Sequence, residues 1–151
     1  MGWAEDQAKK IADSEEQLQR DREWQLHATK LVMAEGPKIF EVLAGHLETL
    51  TDDFNRAYES DSLRCERSPA GSITITKQSI PQASLSLSYA ESHVGLFQRV
   101  VRTVHDPVDR NESLSYAVER DGQVSLDSTI DIERLAQRLL GRLTELFIRK
   151  P

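Results

Sequence analysis

The sequence predicts an α+β fold from three features: helix-forming residues up to about residue 58, an alternating pattern after residue 60, and a strongly amphipathic final stretch. Together these predict two N-terminal helices, an antiparallel meander sheet of five to six strands, and a C-terminal helix packed on one face of that sheet. Residues 1–35 read as a helical arm, and 36–151 as a single α+β domain.

The arm, Ala4 to Glu35, is rich in Glu, Gln, Lys and Arg and has neither Pro nor Gly. These are strong helix formers. Glu5–Lys9, Asp6–Lys10 and Glu16–Arg20 are acid-first i,i+4 pairs worth ~0.2–0.5 kcal/mol each. Its apolar stripe is thin. Ile11, Leu18, Val32 and Ile39 share one heptad phase, but Gln25 interrupts it, and Ser14, Asp21 and Glu35 fill the companion positions. A coiled-coil seam needs both positions apolar. A broader face begins only at Trp24, with Ala28, Leu31 and Val32, so the first ~20 residues have little to bury. Gly36-Pro37 then reads as punctuation, Gly closing one helix and Pro opening the next. From Pro37 to Tyr58, Ile39, Leu43, Leu47, Leu50 and Phe54 form the apolar face of a second helix.

After Ser60 the period becomes two. Leu63–Arg67, Ile73–Lys77, Leu85–Tyr89, Leu96–Val104, Leu114–Arg120 and Val124–Asp127 read as strands, separated by turn chemistry that includes an Asp106–Glu112 loop. Asp121-Gly122 between alternating runs signals a two-residue hairpin. Connections this short exclude parallel crossovers. Ser128-Thr129-Ile130-Asp131 resembles an N-cap. The helix after it carries Ile132, Leu135, Ala136, Leu139, Leu140, Leu143, Leu146 and Phe147 on one face. Gly141 within it costs ~1 kcal/mol against Ala unless another backbone packs there.

With 38% hydrophobic and 29% charged residues, the 151-residue chain has the balance of a globular domain. No apolar run approaches the ~18 residues of a membrane span. The polar, acidic beginning predicts no secretory leader, so the expectation is a cytoplasmic protein with no membrane contact. Residues 1–60 carry 13 acids against 7 bases, while 61–151 carry 12 of each, accounting for the net charge of −6. Such a balance argues against nucleic acid as a partner, because phosphates need clustered Lys and Arg.

Catalytic and cofactor signals are weak. His27, His46, His93 and His105 form no short-spaced ligand pair, and the lone Cys65 has no companion thiol, so no metal site and no cofactor are expected. Arg64 and Arg67 flank Cys65 and would favour a thiolate, but Cys65 shares the alternation face of Leu63 and reads more simply as a small core residue. Asp52-Asp53 point about 100° apart on a helix and cannot share a proton. An enzyme is therefore the less favoured reading.

Interaction features are stronger. Both tryptophans, Trp3 and Trp24, lie on the least apolar helix, with Leu31 beside them, and Trp is enriched at binding hot spots. Opposite the apolar sheet face stand Thr74, Thr76, Ser84, Ser86, Ser88, Ser113 and Ser115, a flat surface with few charges. Arg134, Arg138 and Arg142 make a basic stripe on the last helix that would suit an acidic partner. The favoured reading is a noncatalytic interaction module, self-associating or binding another protein through Trp3, Trp24, Leu31, Ser86, Ser88, Ser115 and Arg138. The alternative is a small-ligand binder with an apolar pocket between sheet and C-terminal helix, lined by Tyr89, Phe97 and Tyr116, with Arg102 or His105 as the polar contact.

Overall fold

A computed structural model of the protein describes residues 2–59, 62–69, 71–79, 81–102 and 107–148. The order of elements is α1 (Trp3–Tyr58), β1 (Leu63–Ser68), β2 (Ser72–Lys77), β3 (Gln82–Tyr89), β4 (His93–Val101), β5 (Pro107–Val118), β6 (Val124–Leu126) and α2 (Ile132–Thr144), closed by a 3-10 turn at Glu145–Phe147. The six strands form one antiparallel sheet in sequential order. The α+β class and the meander are therefore as the sequence predicts.

The two N-terminal helices are in fact one, a 56-residue helix with Pro37 inside it. Proline there removes the hydrogen bond to the carbonyl of Met33 and crowds that carbonyl with its ring, but Met33 lies on an exposed part of the helix, where the carbonyl can turn toward water. Gly36 does not end the helix because it serves a distant contact. It is buried, its missing Cβ would stand 3.4 Å from the Tyr116 ring, and its carbonyl accepts a hydrogen bond from Tyr116 Oη at 3.2 Å. The helix ends instead at Glu59, in the left-handed conformation (φ 55°).

In β1 to β4 the inward residues alternate with outward ones along each strand. Leu63, Ile73, Ile75, Leu85, Leu87, Val94, Leu96 and Leu114 join Phe40, Leu43, Ala44 and Leu47 of α1 and Leu135, Ala136, Leu139, Leu140 and Leu143 of α2 in one buried core. Both helices thus share a single sheet face, and α2 packs on α1 as well as on the sheet. Asp131 is the N-cap of α2, its Oδ1 accepting from the Arg134 N–H at 3.1 Å.

Two strand boundaries depart from the expectation. The Asp106–Glu112 loop is largely strand, because β5 starts at Pro107 and pairs Asp109 with Arg99 and Asn111 with Phe97. A cross-strand ion pair there outweighs the turn preference of Pro, Asp and Asn. The β5–β6 hairpin loop has three residues, closed by the Glu119 N–H to the Gln123 carbonyl at 2.8 Å, with Gly122 left-handed at φ 84°.

Apart from its chain neighbours and its own helix backbone, nothing among the described residues lies within 4 Å of a Cβ built at Gly141. The close backbone approach that would justify a glycine in α2 is absent, so Gly141→Ala is expected to stabilise the protein by about 0.5–1 kcal/mol. Urea unfolding should show a higher midpoint at unchanged slope; a lower midpoint would contradict the placement of this helix face.

Candidate functional site

The first half of α1 leaves the body. From Gly2 to His27 every residue is exposed except Gln7, which is half-buried, whereas the same helix from Gly36 to Thr51 supplies part of the core. Trp3 is 78% exposed, Trp24 50%, Leu26 64% and Met33 54%. Among the described residues the aromatic neighbour of Trp24 is His27, one turn along the same helix (5.8 Å between ring centroids). Ile11 and Leu18, also exposed, repeat at heptad spacing with Val32 and Ile39, with Gln25 interrupting the series, and both lie on the exposed projection. Where arm meets body, Ala28, Val32 and Met33 face Tyr116 and Val118 across a groove of about 360 Å³. Leu31 is half-buried beside it.

The outer sheet face is the second surface. Ser86 is half-buried and shares a hydrogen bond with Thr74 across the strand pair (3.0 Å), while Ser88 and Ser115 are exposed. Register places Ser88, Gly95 and Ser113 in one row across β3–β5, and Ser86, Phe97 and Asn111 in the next. Phe97 therefore occupies the middle of the hydroxyl surface. The Arg99 guanidinium lies 5.7 Å from its ring centre and bonds Asp109 with two hydrogen bonds, 2.7 and 2.9 Å. No helix covers this face among the described residues.

Two of the three arginines in the α2 stripe are already engaged. Arg138 pairs with Asp127 and Arg142 with Glu112.

The residues of the ligand alternative are not gathered. Tyr89 packs on Phe40 (5.9 Å) and Tyr116 against Gly36, both on the inner side, whereas Phe97 faces outward. Arg102 borders a different cleft of about 720 Å³, shared with Lys77, Arg142 and Glu145. His105 lies outside the described residues.

Cys65 is half-buried, and burial, then the Glu48 carboxylate, push its thiol up to about 11. Arg67 opposes this but is itself committed to Glu41 and Glu48. The thiol is neutral near pH 7 and a poor nucleophile. Burial together with Tyr89 raises Tyr116 to about 12, leaving its hydroxyl a hydrogen-bond donor. Among the described residues no three His, Cys, Asp or Glu side chains converge to hold a metal, and no helix is long and apolar enough to cross a membrane.

Two side chains of consequence are not singled out by sequence reasoning. Asn55, in the last turns of α1, bonds both polar groups of Leu63 on edge strand β1: its Nδ2 donates to the carbonyl (2.7 Å) and its Oδ1 accepts from the N–H (3.1 Å). A side-chain amide thus takes the place of a neighbouring strand. Lys77 is 1% exposed, on the inner face. Its Nζ donates to the Ser79 carbonyl and hydroxyl (3.0 Å each) and to the Pro81 carbonyl (2.9 Å), and lies 4.5 Å from the centre of the Phe147 ring. With every donor engaged, Lys77 is a structural cation. Its signal was the alternation itself, since Ile73 and Ile75 point the same way.

Comparison with protein-family models, with curated proteins and with solved structures gives no match.

Proposed function

We propose that this chain is a noncatalytic protein-interaction module that self-associates, with the projecting half of α1 as its docking arm. The observation that carries the reading is an exposed helix with two tryptophans and an apolar stripe in phase with the buried face of the same helix. A helix of ordinary propensity gains its stability mainly by burying a face, and the projecting half of α1 buries none against the described residues. Trp24 lies one helical turn before Ala28, the first residue of the groove that includes Val32 and Met33, so an apolar helix laid along the arm would reach the body. The noncatalytic part rests on chemistry: the one thiol is held neutral, and Lys77 has no free donor.

Deleting residues 2–22 tests this, because that segment contributes nothing to the core. Sedimentation equilibrium is expected to show a smaller assembly for the shortened chain than for the full one, and Trp24→Ala in the full chain should weaken association on the order of tenfold, as loss of a hot-spot side chain does. Equal masses for full and shortened chains across the micromolar range would remove the arm from the assembly.

A further inference from the structure

We infer that the arm docks on the arm of a second copy of this chain, the two helices antiparallel about a two-fold axis between Leu18 and Gln19. This rests on the self-association proposed above and adds to it the partner's segment, its direction and its register.

The starting point is one line of side chains along α1. Ile11, Glu15, Leu18, Arg22 and Leu26 follow at spacings of three and four, which keeps them on one side of a helix with roughly 3.6 residues per turn. At the same spacing the line runs back through Ala8 to Ala4. It also runs on through Thr29 and Met33 to Gly36 and Phe40, which are buried against the body. Every residue on it from Ala4 to Met33 is exposed. The side of α1 that builds the core thus continues outward as an open, partly apolar line.

Two charges interrupt that line, and neither is matched within the chain. The positions three and four residues away from Glu15 and from Arg22 hold only Ile, Ala, Leu or Gln. No opposite charge is therefore within reach along the helix. Neither residue forms an ion pair or a side-chain hydrogen bond among the described residues, whereas the adjacent Glu16 pairs with Arg20 at 3.6 Å.

A second copy supplies what is missing, because the line reads alike from both ends. With the axis between residues 18 and 19, Glu15 of each copy faces Arg22 of the other, Ile11 faces Leu26, and Ala4 faces Met33. The two Leu18 side chains meet beside the axis. Symmetry repeats each contact, giving two ion pairs set between apolar layers. Other alignments do worse. A parallel pair sets Glu15 on Glu15 and Arg22 on Arg22. Sliding the antiparallel pair by one turn puts Glu15 and Arg22 against Leu or Ile, where a charge loses water without gaining a partner. Sliding it by two turns sets like charges together again. The apolar groups supply the attraction, and the two charges choose direction and register.

The test uses full-length E15R and R22E chains, each changed only at an exposed position. Alone, each variant sets like charges opposite one another at both symmetric positions, and association is expected to weaken on the order of tenfold. Mixed in equal amounts they are complementary at both positions, as is the double variant E15R/R22E with itself. Both should regain the wild-type mass by sedimentation. Direction is read from single-thiol chains in a Cys65→Ser background. A short bis-maleimide should join Ile11→Cys to Leu26→Cys in a mixture but neither variant to itself, because like residues then stand roughly 22 Å apart along the axis. Wild-type mass for either single variant, no recovery in the mixture, or self-linked Ile11→Cys overturns the inference. A smaller assembly for the chain lacking residues 2–22, with wild-type mass for E15R, would keep the docking arm and discard this register. A wild-type chain that stays monomeric retires both.

Discussion

Leu143→Ala is expected to cost about 2–5 kcal/mol of unfolding free energy, the range for truncating a fully enclosed leucine. Leu143 is 0% exposed and belongs to the layer in which Leu135 and Leu139 of α2 meet Leu43 and Leu47 of α1 above the sheet. The surrounding groups come from three elements joined by short connections, so collapse into the space left behind is restricted and the upper half of the range is favoured. For a domain whose total stability is of the order of 5–15 kcal/mol, that is a large fraction. Ile132→Ala, at the partly buried start of the same helix, should cost clearly less. Urea unfolding of the two variants decides it. A loss below ~1 kcal/mol for Leu143, or equal losses at both sites, would mean that α2 does not seal the core.

That helix was legible because its evidence is local. Leu135, Ala136, Leu139, Leu140 and Leu143 recur at the spacing of one helix face, and no other element is needed to see it. The same holds for Ile73, Ile75, Leu85 and Leu87, whose alternation states which way each side chain points. Gly36-Pro37 was misread for the opposite reason. Its local chemistry favours a break, but what decides its conformation is Tyr116, eighty residues away, which fills the space a Cβ would take and bonds the Gly36 carbonyl. Asp106–Glu112 likewise reads as a loop because Pro, Asp and Asn favour turns, while Arg99, the partner that keeps Asp109 in a strand, is recognised only through register. Of the proposed interaction surface, composition revealed the tryptophans and the serine rows. It did not place Phe97 at the centre of those rows, nor commit Arg138 and Arg142 to Asp127 and Glu112. Single-strand alternation assigns faces; edges and pairings emerge only once strands are side by side.

Lys77→Ala is expected to destabilise by about 2–4 kcal/mol, whereas Lys77→Met should stay within ~1.5 kcal/mol of wild type. The lysine links three segments: its stem lies in the inner face of β2, its ammonium gathers the carbonyls of Ser79 and Pro81, and the Phe147 ring closes over it. Phe147 in turn packs on Phe54 and Tyr58 of α1, with ring centres 5.3 Å away in each case. Alanine removes the packing and the charge together. Methionine keeps the stem and offers a sulfur to the ring, and Ser79 is exposed enough for water to reach its carbonyl. The pH dependence separates the two contributions. Burial lowers the Lys77 pKa from its ordinary 10.5, so the folded state disfavours the ammonium relative to the unfolded chain. The cost is fully present below the folded pKa, is relieved as pH rises through it, and is gone above 10.5. The stability of wild type minus that of Lys77→Met should therefore climb between neutral pH and about 10.5, a difference in which the opposite alkaline trends of Cys65 and Tyr116 cancel because both proteins contain them. A flat difference would place the ammonium in water, and a falling one would mean that its oxygen acceptors outweigh desolvation.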